Sequence, residues 1–304
     1  MKMLASATAV LIAFSSSLWA QWPKYKEPGV PRDAQGRVLV EAPPPRTADG
    51  KPDLSGNWLR ADRDPLPQEL AGVVTARGET NRGAGGNVVV EPQTAPFPAD
   101  SKAPPLATFF ELGANVPGGL PFKPEASELK KQRMATNNKD NPDANCLPMG
   151  ITQFHMQPQP RKIVQTPGLI IILYEANYGL RYIYMDGRSL PPQGDPQPFW
   201  YGYSVGHWEG DTLVVETNNL RGAEDGPHDG WLDVRGSPYS EQAKFVEKFR
   251  RPQFGKLEID VTLEDPKFYT KPFTVRINQR FADEEPIEFV CNENQQFERR
   301  IKVN

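Results

Sequence analysis

The sequence predicts a mainly β protein. Its core is an antiparallel barrel-like domain (lipocalin-like, or a sandwich) over residues 146–304, preceded by a Pro-rich, mostly irregular arm over 21–145. Three observations predict this. Leu257, Ile259, Val261 and Leu263 alternate with Glu258, Asp260, Thr262 and Glu264, and Phe273, Val275, Ile277 and Phe281 alternate in the same way. Period two of that kind marks half-buried strands. Nine such candidate strands follow one another through short connections, with no repeat and no strand–helix alternation, which argues against Rossmann and TIM architectures. The arm holds 18 of the 32 prolines, and proline removes donors and fixes φ, so long regular elements are not expected there.

Taken in order, residues 1–20 read as a secretory signal. A basic Met1-Lys2-Met3 precedes the apolar run around Val10-Leu11-Ile12-Ala13-Phe14, and small residues and Trp19-Ala20 lead to a cut before Gln21. The run is shorter than the ~20 residues that span a bilayer, and no later segment is long enough. In the arm, Leu54-Ser55-Gly56-Asn57-Trp58 and Phe109-Phe110-Glu111-Leu112 offer apolar anchors onto the β domain, whereas Gly83-Ala84-Gly85-Gly86 does not. One helix is expected over 124–135, with Pro124 in its first turn and Glu125 at its positive end.

The candidate strands are 161–165, 169–176, 180–185, 201–207, 212–217, 243–249, 257–263, 273–281 and 287–291. Asn177-Tyr178-Gly179 joins one hairpin, with Gly supplying positive φ, and Glu209-Gly210-Asp211 joins another. The first hairpin is apolar on both faces, so cover on both sides is expected. Cys146 and Cys291 are the only cysteines. In an oxidising compartment they form one disulfide from the start of the β domain to its end, worth up to ~4–5 kcal/mol by loop closure. They have no paired C-x-x-C spacing for zinc.

Without Lys2, 34 basic residues face 38 acidic ones, a formal charge of −4. Mild acidity without a basic stripe argues against nucleic-acid partners. No P-loop, dinucleotide or haem motif is present, and no cofactor is expected. None of His155, His207 and His228 has metalloprotease spacing, and one histidine with Met149 and Met156 is thin for a soft-metal site. Gly202-Tyr203-Ser204-Val205-Gly206 spells G-x-S-x-G but leads into a hairpin rather than a helix, so a nucleophile elbow is not expected.

Alternation carries the sharpest clue to chemistry. Glu247 shares a face with Phe245 and Phe249 and points inward. A buried carboxylate is either an acid/base group with a shifted pKa or one locked to a buried arginine. Glu175 and Arg181 flank the first hairpin turn and could pair across it, or Arg181 could grip an anion. Gln279 interrupts an apolar face and could donate into the same interior. His228 sits with Trp231 and Asp233 in the loop 226–236, where functional groups gather and turn chemistry is also common. Trp200, Tyr201, Tyr203 and Trp208 form an aromatic belt that suits either core packing or a planar ligand.

Five stretches resemble a largely uncharacterised family of exported bacterial proteins. They are R-T-A-D-G-K-P-D-L-S-G-N-W (46–58), C-L-P-M-G (146–150), M-D-G-R (185–188), W-E-G-D-T-L-V-V-E-T (208–217) and E-D-P-K-F-Y-T-K-P (264–272). The resemblance implies export and a shared fold and transfers no catalytic residue. Its pattern reads P-H-S-E where this chain has Pro238-Tyr239-Ser240-Glu241. The expectation is a periplasmic or secreted protein that binds a small organic molecule inside a β-barrel. It could be a cofactor-independent lyase, isomerase or hydrolase in which Glu247, Glu175 or His228 moves protons while Arg181, Gln279, Trp200 and Tyr203 hold the substrate. The alternative is a non-catalytic carrier or envelope interaction module. Oligomeric state is not readable.

Overall fold

The computed structural model describes residues 26–61, 102–194 and 198–291. The predicted signal at 1–20 and the Gly-rich stretch 83–86 lie outside them. The chain divides after Val30, and every element named below belongs to the unit Pro31–Asn304.

Among the described residues nine strands close into one barrel in chain order: β1 (Gly56–Arg60), β2 (Arg161–Gln165), β3 (Leu169–Tyr174), β4 (Gly179–Tyr184), β5 (Tyr203–Glu209), β6 (Thr212–Asn218), β7 (Lys244–Gln253), β8 (Lys256–Glu264) and β9 (Phe273–Phe281). Neighbours pair antiparallel except β4 and β5, which run parallel through Ile183 opposite Ser204 and Tyr184 opposite Val205. Two-residue hairpin geometry cannot make that junction, so a longer connection, 185–202, carries the chain back. Closure gives every strand a neighbour on each side. Among the described residues two α-helices accompany the barrel, α1 (Pro124–Ala135), as predicted, and α2 (Ile151–Met156), which was not foreseen.

The strand that closes the barrel comes from the arm. β1 pairs with β2 through Gly56 opposite Ile163 and with β9 through Trp58 opposite Phe281. Trp58 is fully buried and its Nε1 donates to the Leu54 carbonyl at 3.0 Å. The expected strand at 287–291 is irregular. The edge of β9 is already taken by β1, and Pro286 has no N–H to offer a ladder.

The first hairpin also departs from expectation. β3 ends at Tyr174, Glu175 turns into helical backbone, and the positive φ values fall on Asn177 and Tyr178 (both 49°) instead of Gly179. Its outer face is not covered, since Leu173, Leu180 and Tyr182 are 40%, 37% and 44% exposed. In the second hairpin Gly210 does supply the positive φ (59°) between β5 and β6.

Inward positions obey the alternation. Phe245, Glu247 and Phe249 of β7, Ile259 and Val261 of β8, Val275 and Ile277 of β9, and Val215 of β6 are all buried. Burying each large apolar side chain contributes roughly 1.5–3 kcal/mol, so this lumen is the core of the unit. All six residues of α2 are buried. The ring of His155 meets Tyr174 of β3 and Phe249 of β7, and its carbonyl accepts from Arg161 of β2 and Gln279 of β9. A residue touching four strands around the ring lies in the lumen, so α2 plugs the barrel.

Candidate functional site

Two polar clusters emerge, one sealed in the lumen and one open at its rim. In the lumen Glu247 sits on β7 as predicted, yet every oxygen is taken. Arg181 Nη1 donates to Oε1 at 3.0 Å, Arg181 Nη2 donates to Oε2, and His155 Nε2 donates to Oε1 at 2.8 Å. Arg181 is held further by Ser204 Oγ (3.1 Å) and Thr217 Oγ1 (2.9 Å). Arg161 Nη1 donates to Gln279 Oε1 at 2.7 Å. Burial pushes the Glu247 carboxyl up, but the Arg181 charge and the hydrogen bonds from His155 and Arg181 outweigh it and hold it at about 2. Burial lowers His155 below its ordinary 6.5, so it is neutral and acts as donor through Nε2. Its Nδ1 has no partner, and the Tyr174 hydroxyl, close to Arg181, makes no hydrogen bond of normal geometry.

This is the arginine-locked outcome for Glu247. An ionised carboxylate saturated by a guanidinium and an imidazole is a poor proton acceptor. Arg181 pairs with Glu247 on β7 instead of Glu175, so it is not free to grip an anion. Glu175 lies in the β3–β4 turn, where its Oε2 accepts from the Ile287 N–H at 2.9 Å. Tyr203 points outward and stacks on Tyr184 at 5.1 Å, with Arg188 donating to its hydroxyl. Ser204 of the G-x-S-x-G spelling lies on β5 inside the lumen, bonded to Thr217. Met149 sulfur takes Gln157 Nε2, and among the described residues no group of three or more His, Cys, Asp or Glu side chains gathers as a metal site would need.

The open cluster is a narrow cleft with about 10 Å³ of free space, room for one water, walled by Pro148, Gly150, Trp200, Arg221, His228, Asp229, Trp231 and Tyr239. It brings together two predicted residues, His228 and Trp200. His228 Nδ1 lies 2.8 Å from the Asp140 carbonyl oxygen. A carbonyl only accepts, so Nδ1 carries a proton, and it is Nε2 that holds the lone pair whenever the ring is neutral. Arg221 stacks on Trp200 at 4.3 Å and forks onto Asp229, Nε to Oδ1 at 3.2 Å and Nη2 to Oδ2 at 3.1 Å. Trp231 is pinned through Nε1 to the Pro227 carbonyl at 3.0 Å, and Arg133 of α1 lies over its ring at 4.1 Å. The same Arg133 donates to the carbonyls of Asp229 and Gly230, so α1 props the cleft loop from beneath. Burial lowers Arg133 to about 10, still charged at neutral pH.

Tyr239 is 2% exposed, its ring meeting Phe245 edge-on at 5.6 Å. A Cβ on Gly150 would stand 2.6 Å from the Trp231 carbonyl oxygen and 3.3 Å from Tyr239 Oη, so only glycine fits that wall. A wider groove of about 360 Å³ beside Pro105, Val116 and Phe273 offers Lys271 as its sole titratable group.

Cys146 and Cys291 are bonded, with Cα atoms 5.5 Å apart. Among the described residues no helix is long and apolar enough to cross a membrane. Comparison with protein families, with curated proteins and with solved structures finds no match for this chain.

Sequence reasoning missed His155, Arg161, Tyr174 and Thr217 in the lumen, and Arg221, Asp229 and Tyr239 in the cleft. Alternation could have found Thr217, which shares a face with Leu213 and Val215. Nothing local marks Arg221, whose partners are Asp229, eight residues on in the same β6–β7 connection, and Trp200 before β5.

Proposed function

We propose that this is an exported protein that binds a small organic molecule at the mouth of the rim cleft, with His228 as the base of a cofactor-independent proton transfer. The observation that carries the reading is His228 itself, whose Nδ1 is fixed on the Asp140 carbonyl so that Nε2 is an acceptor. In the step, Nε2 takes a proton from the bound molecule and becomes imidazolium. The Tyr239 hydroxyl donates a hydrogen bond to the oxygen where negative charge develops. An isomerisation or elimination needs no more than these two groups. Tyr239 stands where the resembled pattern reads histidine, in the wall of the same cleft. Export is supported by the basic–apolar–small order of residues 1–20 and by the disulfide, which needs an oxidising compartment.

Native mass spectrometry of protein purified from the periplasm of its host tests the reading. A retained small molecule that is lost from His228→Gln and Trp200→Ala variants of unchanged Tm supports it. Retention by both variants sinks it. A second reading, a non-catalytic interaction module, is favoured by the uncovered apolar face of Leu173, Leu180 and Tyr182.

A further inference from the structure

We infer that the edge of β9 from Lys271 to Thr274 is a docking site for an extended, carboxylate-bearing peptide of a partner protein, which adds there as a short strand. The seam between β9 and the arm is only partly closed. β1 covers β9 at Gln279, Arg280 and Phe281. Beyond it a short piece of the arm takes over: the Arg276 N–H donates to the Pro105 carbonyl at 2.9 Å, and the Ala107 N–H donates to the Arg276 carbonyl at 2.8 Å. Along a strand the main-chain groups of successive residues face opposite sides, so Thr274 turns its N–H and C=O the same way as Arg276. There the pairing stops. The parallel register of Leu106 on Arg276 brings the Pro105 nitrogen to the Thr274 carbonyl, and proline has no N–H to give. Among the described residues no bridge pairs with Thr274 on that side.

This unpaired stretch lines the groove of about 360 Å³, a size within the ~300–1,000 Å³ of binding pockets. Pro105 stands at one end. Pro121 stands at the other, its carbonyl accepting from the Thr270 N–H at 2.9 Å. The run between them, 271–274, is about 13 Å long as a strand, room for three or four residues of a peptide. Strand addition takes affinity from main-chain hydrogen bonds and specificity from side-chain contacts. Thr274 offers the first, and Val116, Pro117 and Phe273 offer an apolar wall for the second. The charge of the partner follows from Lys271. It is the only charged group of the groove, it is exposed, and among the described residues it pairs with no carboxylate. An acidic residue complements it, placed about 10 Å along the peptide from the residue that faces Thr274. Proline and lysine at a sheet edge also discourage long, indiscriminate pairing, so the site admits a short segment and not the edge of a second barrel.

The probe is the blocked pentapeptide acetyl-Asp-Thr-Val-Thr-Asp-amide, whose two carboxylates serve either strand direction. It is titrated into the intact disulfide-bonded protein while amide exchange is followed by NMR. In the free protein the Thr274 N–H should exchange far faster than those of Val275 and Ile277, which face β8, and the probe should slow it at least about tenfold. Lys271→Glu should keep its Tm, weaken binding by about three- to tenfold, and make a peptide with Lys in place of both Asp the better ligand. A copy of the probe N-methylated at its three central residues has no main-chain donors there and should bind at least about tenfold more weakly. That last comparison needs no variant protein. A Thr274 N–H already protected in the free protein overturns the inference, since the edge is then covered. So does the absence of binding at millimolar concentration, or binding indifferent to Lys271→Glu or to N-methylation.

Discussion

Glu247 carries three charge-assisted hydrogen bonds and touches no water, and that saturation decides its role. Replacing it with glutamine leaves the Arg181 charge buried without a partner. Glu247→Gln should therefore cost about 3–5 kcal/mol of folding stability, read from urea denaturation. The double variant Arg181→Met/Glu247→Leu should cost clearly less than the sum of the single changes. Additive losses would mean that the pair is not coupled. His155 adds a pH signature. Its folded pKa lies below its ordinary 6.5, so the unfolded chain takes up the proton first and stability falls as pH drops below about 6.5. Glu247 acts in the same direction lower down, its contribution being lost as pH falls from 4.5 toward 2. Asp233, raised by burial, opposes them. The difference between the native chain and His155→Gln isolates the histidine: the native Tm should decline more steeply just below pH 6.5, and parallel curves would refute the assignment. Glu247 was legible because alternation fixes which face a strand residue takes. Its partners were not, because Arg181 and His155 lie 66 and 92 residues away.

Most strands were legible from period two and hairpin glycines, and the helix over 124–135 from Pro124 and Glu125. The misses share one cause, competition for partners. Segment 287–291 has strand-like composition, but β1 from the arm already holds the edge of β9. Glu175 continues the apolar run of β3, yet the chain turns there and Ile287 claims its carboxylate. The tail after β9 is fastened to the α2 segment by the Cys146–Cys291 bridge, across a separation of 145 residues. Its loss in Cys146→Ser/Cys291→Ser should lower stability, by ~4–5 kcal/mol at most in the loop-closure account. Guanidinium unfolding with and without reductant measures it, and coincident curves would show that the bridge constrains nothing.

At the scale of the molecule, the plugged barrel is the scaffold on which the proposed cleft is built. The lumen holds its polar groups in mutual hydrogen bonds around the α2 plug. The cleft gathers walls from three segments distant in sequence: Pro148 and Gly150 before α2, Trp200 and Arg221 on either side of the β5–β6 hairpin, and the loop from His228 to Tyr239. A wall assembled that way leaves no local motif, which is why only His228 and Trp200 could be named from sequence. If His228 is the base, His228→Gln should lower turnover on a responsive substrate by about 10²–10⁴-fold with unchanged Tm. An unchanged rate would leave the cleft as a binding site alone.

The three histidines allow a direct test, since His155 reports the lumen, His228 the cleft and His207 the exposed β5 surface. The measurement is an imidazole NMR spectrum, assigned with single His→Gln variants and recorded while the small molecule retained by the periplasmic protein is titrated back. The His228 signal should move to saturation while those of His155 and His207 hold still. Movement of the His155 signal with His228 unmoved would place the ligand in the barrel and contradict the account.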